Sequence, residues 1–263
     1  MTRMNYNKYC EILRQTALEA GKKIMEIHSH GFKVSYKEDK SPVTIADEAA
    51  EKIILRDLKN IAPHIPIVAE ESASAGNIPN VDNIFWLVDP LDGTKEFIAR
   101  RKEFTVNIAL IENGIPTFGI VYAPALATLY TAKNPKICTL QQVTDLITLG
   151  DEKVINVRDV PSSGIAAVAS KSHRDDETNE LLEKYNVKDI LSIGSSLKFC
   201  LLAEGKADFY PRFGPTMEWD TAAGHAVLNA AGGNITHPDG TRYLYNKPNF
   251  KNGPFIATGK MTL

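Results

Sequence analysis

Apolar residues recur every three or four positions across residues 5–28, where Tyr9, Leu13, Ala17, Ala20, Ile24 and Ile27 are separated by polar ones. That rhythm predicts an amphipathic helix. A second stripe, Ala46, Ala50, Ile53, Ile54, Leu58 and Ile61, follows the turn-like Ser41-Pro42-Val43-Thr44, and Pro63 and Pro66 close it. The pattern then shortens. Residues 65–69 predict a strand ending in Glu70-Glu71, and Ile84 to Val88 predict a buried strand. That strand stops at Asp89-Pro90, where the proline ring removes a backbone donor. Residues 104–111 and 115–122 flank Glu112-Asn113-Gly114, a strong hairpin signal, and Thr128–Ala132 extends the pair into a meander. Residues 133–153 carry no clear period and read as irregular or weakly helical.

From about residue 154 the rhythm changes again. Short apolar runs at 165–169, 190–193 and 207–210 alternate with helical stretches at 175–185, 195–204 and 220–230. Such alternation predicts an α/β half with a partly parallel sheet. The chain thus divides into an α+β half with an antiparallel sheet, residues 1–155, and an α/β half with a mixed sheet, residues 156–263. No internal repeat is visible.

Composition narrows the function classes. The 43% hydrophobic content of this 263-residue chain excludes wholesale disorder. A formal net charge of -2 gives no global attraction to nucleic acid or anionic lipid, and no basic stripe supports nucleic-acid binding. Any anionic ligand must be gathered by a local cluster. Cys10, Cys138 and Cys200 are widely spaced and form no CxxC pair, which predicts a reduced, cytoplasmic protein. No apolar run approaches the ~20 residues of a membrane span, and the amino terminus has no apolar signal core. The sequence sets no oligomeric state.

Acidic residues stand where strands or turns end: Asp47, Glu70, the pair Asp89 and Asp92, and Asp220. Taken singly, Asp47 and Asp220 read as helix caps or solvated turn acids, with Asp220 as N-cap of the 220–230 stripe. Asp89 and Asp92, flanking Pro90 and the Leu91 carbonyl, are harder to dismiss. Carboxylates at the end of a buried strand are costly unless a cation offsets them. Magnesium prefers such oxygen ligands. Gly93 permits a close backbone approach to a ligand, and the amides of Gly93 and Thr94 open a helix toward an anion. Metal plus phosphate is the reading. The haloacid-dehalogenase phosphatases place one residue between the two aspartates of a similar motif; here Pro90 and Leu91 intervene, which rules against them.

Asp-Pro-Leu-Asp-Gly-Thr at 89–94 and Trp-Asp-Thr-Ala-Ala-Gly at 219–224 resemble the paired signatures of the inositol-monophosphatase superfamily. Glu70-Glu71-Ser72, and Pro42-Val43-Thr44 with Asp47, match two further acidic elements in the same order. Lys95-Glu96-Phe97, Gly194–Cys200 and Tyr210–Thr216 are similar to the bacterial 3'(2'),5'-bisphosphate nucleotidases of the CysQ type. One departure is Met217-Glu218, where an uncharged pair is more usual; it reads as a difference of local surface. The resemblance implies a layered αβαβα sandwich, lithium sensitivity, and for some members a place on the inner face of the bacterial membrane. It also implies about two or three Mg²⁺ ions held by Glu70, Asp89, the Leu91 carbonyl, Asp92 and Asp220. Thr94 with Glu70 or Asp47 would activate water. Gly93, Thr94, Gly194, Lys198, His173 and Asp220, with Ser170 and Arg212, would hold a small bisphosphorylated nucleotide. An inositol or sugar monophosphatase is the nearest alternative, and a non-catalytic phosphometabolite sensor the remote one.

Overall fold

The computed structural model describes residues 4–36, 42–169 and 176–261. The first periodic stretch is helix α1 (Tyr6–His30). A short hairpin, β1 (Val34–Tyr36) and β2 (Pro42–Thr44), leads into α2 (Ile45–Ile61). Strand β3 (Ile67–Ala69) ends in the one-turn helix α3 (Glu70–Ser74), and β4 (Ile84–Asp92) in α4 (Thr94–Ile98). A meander follows: β5 (Thr105–Glu112), β6 (Ile115–Ala123), β7 (Thr128–Asn134) and β8 (Ile137–Thr144), then the short β9 (Thr148–Leu149) and β10 (Lys153–Val154). The second part contains β11 (Ala166–Ala169), α5 (Asp176–Lys184), β12 (Asp189–Ser192), α6 (Leu197–Ala203), β13 (Phe209–Arg212), β14 (Thr216–Met217) and α7 (Glu218–Ala230). It closes with β15 (Asn234–Thr236), β16 (Lys251–Asn252) and β17 (Phe255–Thr258).

The large sheet runs β10-β8-β7-β6-β5-β4-β3, with β9 paired to β8. Its pairings are antiparallel except for β3 with β4. The smaller sheet runs β12-β11-β13-β17-β15, parallel at its β12 side and antiparallel at β17. The predicted pair of antiparallel and mixed, partly parallel sheets is therefore present.

Both faces of the large sheet are covered, so its central strands are apolar throughout rather than alternating. Trp86 and Val88 of β4 pack with α1 and α2, whereas Phe85 and Leu87 face α6 and α7. Those two helices fill the space between the sheets. Beyond the smaller sheet, Leu182 of α5 packs on Ala167, Phe209 and Ile256. The order of layers is helix, sheet, helix, sheet, helix. Gly119 of β6 sets how closely α7 lies: a Cβ there would stand 2.7 Å from Ala226 Cβ and 2.8 Å from the Ala223 carbonyl.

Three expectations need correction. Residues 133–153 carry the end of β7 and strands β8 and β9 rather than irregular chain. Their outer half is solvated, so the apolar alternation that marks a strand is diluted. Strand β4 also does not stop at Pro90. Its pairing with β5 slips between Asp89 and Asp92, with Asp89 opposite Asn107 and Asp92 opposite Thr105. Two residues, Pro90 and Leu91, thus face one, and a bulge absorbs the proline that a regular ladder would reject. Finally, α7 starts at Glu218, so Asp220 is its third residue and not its N-cap.

Candidate active site

The bulge is what makes the Asp89/Asp92 pair useful. Residues three apart on a regular strand point to opposite faces; one extra residue brings both to the same face. Asp89 therefore joins the side of Phe85 and Leu87, where α6 and α7 lie, while Leu91 turns back toward the α1/α2 core. Gly93 then reverses the chain with φ 94°, a left-handed conformation costly for any other residue. A Cβ there would also lie 2.9 Å from the Glu103 carbonyl.

Each aspartate is fixed by one backbone amide. Leu91 N–H donates to Asp89 Oδ1 at 3.0 Å, Ser196 N–H to Asp92 Oδ2 at 2.6 Å, and Met217 N–H to Asp220 Oδ2 at 2.8 Å. Thr44 donates both its N–H (2.8 Å) and its hydroxyl (2.7 Å) to Asp47 Oδ2. Thr94 Oγ1 lies 3.2 Å from Asp47 Oδ1 and 3.1 Å from the Leu91 carbonyl. With one hydroxyl proton it can donate to only one of them at a time.

The electrostatics show that these groups converge. Burial raises the Asp89 carboxyl well above its ordinary range, and Glu70, Asp92 and Asp220 add to the rise. Asp220 is raised likewise by burial, Asp92 and Glu70. Burial pushes Asp92 up to about 6 although Lys198 and the Ser196 amide pull it down. Asp47 is also pushed up to about 6 by burial, against its Thr44 hydrogen bonds and with Glu70 adding to the rise. Among the described residues, no group of three His, Cys, Asp or Glu side chains already has chelating geometry. Each aspartate is tied back to a backbone amide, and Asp89 lies within hydrogen-bond reach of the Glu70 side chain. An oxygen-only donor set under mutual repulsion nevertheless fits Mg²⁺, because a hard cation offsets both burial and repulsion.

A cavity adjoins the carboxylates, lined among others by Asp92, Gly93, Gly194, Lys198, Arg212 and Asp220. Lys198 is buried at 8% exposure and donates to the Ser195 carbonyl at 2.8 Å. Burial lowers it to about 8 although Asp92 favours its charged form. Arg212 Nε donates to the Gly214 carbonyl at 3.1 Å. Gly194 lies against Glu96, whose Cγ would stand 3.0 Å from an added Cβ. Ser170 and His173 lie outside the described residues.

Residues not singled out from sequence also shape the site. Glu51, four residues after Asp47 on α2, accepts from the amides of Glu71 (2.8 Å) and Ser72 (2.9 Å) and so anchors α3, which begins at Glu70. Two acids at i and i+4 on a buried face were the available signal. Ser196 joins Thr105 and Asn107 by its hydroxyl at 2.8 and 2.7 Å. No periodicity marks it. Glu218 is not a surface difference: it is fully buried.

Comparison with known proteins places these features in a wider set. The profile of the inositol monophosphatase family matches residues 5–260. The 3'(2'),5'-bisphosphate nucleotidase CysQ of Salmonella typhimurium is 46% identical over 247 residues, which span 93% of this chain and 97% of that protein. The crystal structure of CysQ from Bacteroides thetaiotaomicron, described as a bacterial member of the same family, is 40% identical, with a TM-score of 0.78 over 94% of this chain and 96% of that one. An inositol monophosphatase from Zymomonas mobilis is 26% identical, with a TM-score of 0.76 over 98% and 94%.

Proposed function

The chain belongs to the inositol monophosphatase family, and we propose on that premise that it is a 3'(2'),5'-bisphosphate nucleotidase of the CysQ type. The reaction takes adenosine 3',5'-bisphosphate, or its phosphosulfate relative, and water to the 5'-nucleotide and phosphate. The observation that carries the reading is one cavity lined both by carboxylates, Asp92 and Asp220, and by cations, Lys198 and Arg212. A scissile phosphate needs the first and a second, non-scissile phosphate needs the other. Near full-length likeness to CysQ proteins supports the substrate.

Glu70, Asp89, Asp92, Asp220 and the Leu91 carbonyl would hold the Mg²⁺ ions. When bound, these supply Lewis-acid polarisation of the phosphoryl group and neutralise the leaving oxygen. Thr94 donates its proton to Asp47 Oδ1, which leaves its lone pairs to accept from and orient the attacking water. A hydroxyl is a poor base alone, so the water's proton passes to Thr94 as Thr94 gives its own to Asp47. Asp47 takes the relay in this scheme because its Oδ1 lies 3.2 Å from the Thr94 hydroxyl. The Gly93 and Thr94 amides cradle the scissile phosphate. Lys198 exchanges its carbonyl partner for the second phosphate, and Arg212 offers a planar fork beside it. No side chain is phosphorylated in this scheme.

The test is a phosphate-release assay with Mg²⁺ that competes adenosine 3',5'-bisphosphate against inositol monophosphate, with and without chelator. The bisphosphate should dominate kcat/KM, and chelator should abolish turnover. Preference for inositol monophosphate would move the chain to the other branch of its family, and no turnover of either would make it a sensor. Among the described residues no helix is long and apolar enough to cross a membrane.

A further inference from the structure

Helix α7 carries Asp220 in its first turn, yet that turn lacks an ordinary cap. Met217 stands at the N-cap position and makes no side-chain capping hydrogen bond. The turn is held from outside instead. The fully buried Glu218 carboxylate accepts from the backbone amides of Asn246 at 3.0 Å and Lys247 at 2.9 Å, and the Lys247 ammonium lies 2.8 Å from its Oε1. Asn246 has a φ of 75°, so the carboxylate fastens a left-handed turn. The ammonium also sits 4.6 Å above the Tyr243 ring and 4.9 Å above that of Tyr245. On the other side of the turn, the Asn252 side-chain amide donates to the Met217 carbonyl at 2.7 Å.

We propose that Glu218 and Lys247 are positioning residues for Asp220, fixing the rotation of the first turn of α7 so that the Asp220 carboxylate stays aimed at the other metal-binding acids. This rests on the phosphatase reading and deepens it. First and third residues of a helix are about 200° apart around its axis, so they point to nearly opposite sides. Glu218 grips the 243–247 segment while Asp220 faces the cavity, and a turn gripped on one side cannot roll on the other. Stability alone is a poor reason for the arrangement. A buried ion pair generally contributes no more than apolar side chains of similar volume, and its best-attested use is to fix one geometry. Partners that orient a metal ligand typically change metal affinity by about ten- to a hundredfold when removed.

The test measures Mg²⁺ binding to the substrate-free, full-length protein by calorimetry in wild type, Glu218→Gln, Glu218→Ala, Asp220→Asn and the double variant Glu218→Ala with Asp220→Asn. Glu218→Ala should weaken Mg²⁺ by about tenfold or more. Glu218→Gln, which keeps one acceptor oxygen for the loop amides, should retain part of the affinity. In turnover, the Mg²⁺ concentration for half-maximal rate should rise while KM for the bisphosphate at saturating Mg²⁺ stays put. In the Asp220→Asn background the Glu218 substitution should add little, since its effect passes through Asp220. Should Glu218→Ala fail to fold, Glu218→Gln is read alone against wild type. Mg²⁺ affinity within twofold of wild type in the folded variant, or full additivity with Asp220→Asn, overturns the proposal. Failure of the phosphatase reading looks different: wild type would then bind no Mg²⁺ that Asp220→Asn weakens.

Discussion

Helices α2 and α7 each carry a candidate-site aspartate as their third residue, but their first turns are secured differently. In α2 the Thr44 hydroxyl accepts from Ala46 N–H at 3.1 Å and donates to Asp47, whose Oδ2 also takes the Thr44 amide. All partners lie within four residues of chain. In α7 only the Met217 amide is local to Asp220, and the remaining grip comes from Asn246, Lys247 and Asn252. The difference suits the jobs assigned to the two acids. In the proposed mechanism Asp47 exchanges a proton with Thr94 and needs only a fixed distance to its neighbour. Asp220 must meet Asp89 and Asp92 across two layers of the fold, so its direction is set by tertiary contacts.

That division makes sharp predictions, and the largest concerns the acids themselves. Asp89→Asn should reduce kcat by about a thousandfold or more, the loss of several kcal/mol of charge stabilisation, while far-UV circular dichroism stays native. Near-normal turnover would remove the bulge from the site. Asp47→Asn and Asp220→Asn should then part company. Asp47→Asn should lower kcat on the order of a hundredfold at unchanged Mg²⁺ dependence. Asp220→Asn should raise the Mg²⁺ concentration needed for half-maximal rate. If both variants shift the metal dependence alike, the two helices do the same work and the contrast fails.

Next comes the cationic side of the cavity. Lys198→Ala removes the proposed charge-assisted partner of the second phosphate, a contact of about 1.5–3 kcal/mol. KM for the bisphosphate should rise on the order of tenfold or more and that for a nucleoside 3'-monophosphate little. Equal effects on both substrates would take Lys198 out of the second-phosphate site.

The same contrast explains what the sequence disclosed. Thr44 and Asp47 are three residues apart, and Asp89 and Asp92 bracket a proline, so their chemistry could be read locally. The helices α1, α2 and α7 followed from stripes of buried residues. The bulge in β4 did not, because proline after an aspartate signals a strand end as readily as a slip in register. Glu218 next to Trp219 looked like a surface difference because its partners lie 28 and 29 residues further on. Ser196 was invisible for the same reason, since it serves an acid and an amide side chain on other elements, and Glu51 was signalled only by its place four residues after Asp47.

Acid titration tests the pocket as a whole. In chelator, the raised carboxylates contribute stability that is fully present below their unfolded pKa near 4. That contribution is lost as the pH climbs through the folded values, about 6 for Asp47 and for Asp92. Between about pH 4 and pH 7 the melting temperature of the chelated protein should therefore fall by several degrees, and added Mg²⁺ should flatten the slope. Glu152 does not confuse the reading. Arg14 and Lys133 outweigh its burial and hold it at about 2, so its contribution is lost only at more acidic pH. A chelated protein whose melting temperature is level or rising over that interval would show that burial does not hold these carboxyls above their ordinary range.

Thr44→Val is the finest probe, because it keeps the shape of a side chain only 3% exposed and removes its hydroxyl. The loss of the cap should cost about 1 kcal/mol of stability. Asp47 also loses a hydrogen bond to its charged form, which moves its pKa further up. The acidic limb of the kcat profile should shift to higher pH, whereas Thr44→Ser should restore both stability and limb. The matching change in α7, Met217→Leu, leaves the backbone amide that holds Asp220 in place and should move neither the limb nor the Mg²⁺ dependence. A shift in the limb with Met217→Leu, or none with Thr44→Val, would mean that the cap position matters equally in both helices, contrary to a local device in one and a long-range one in the other.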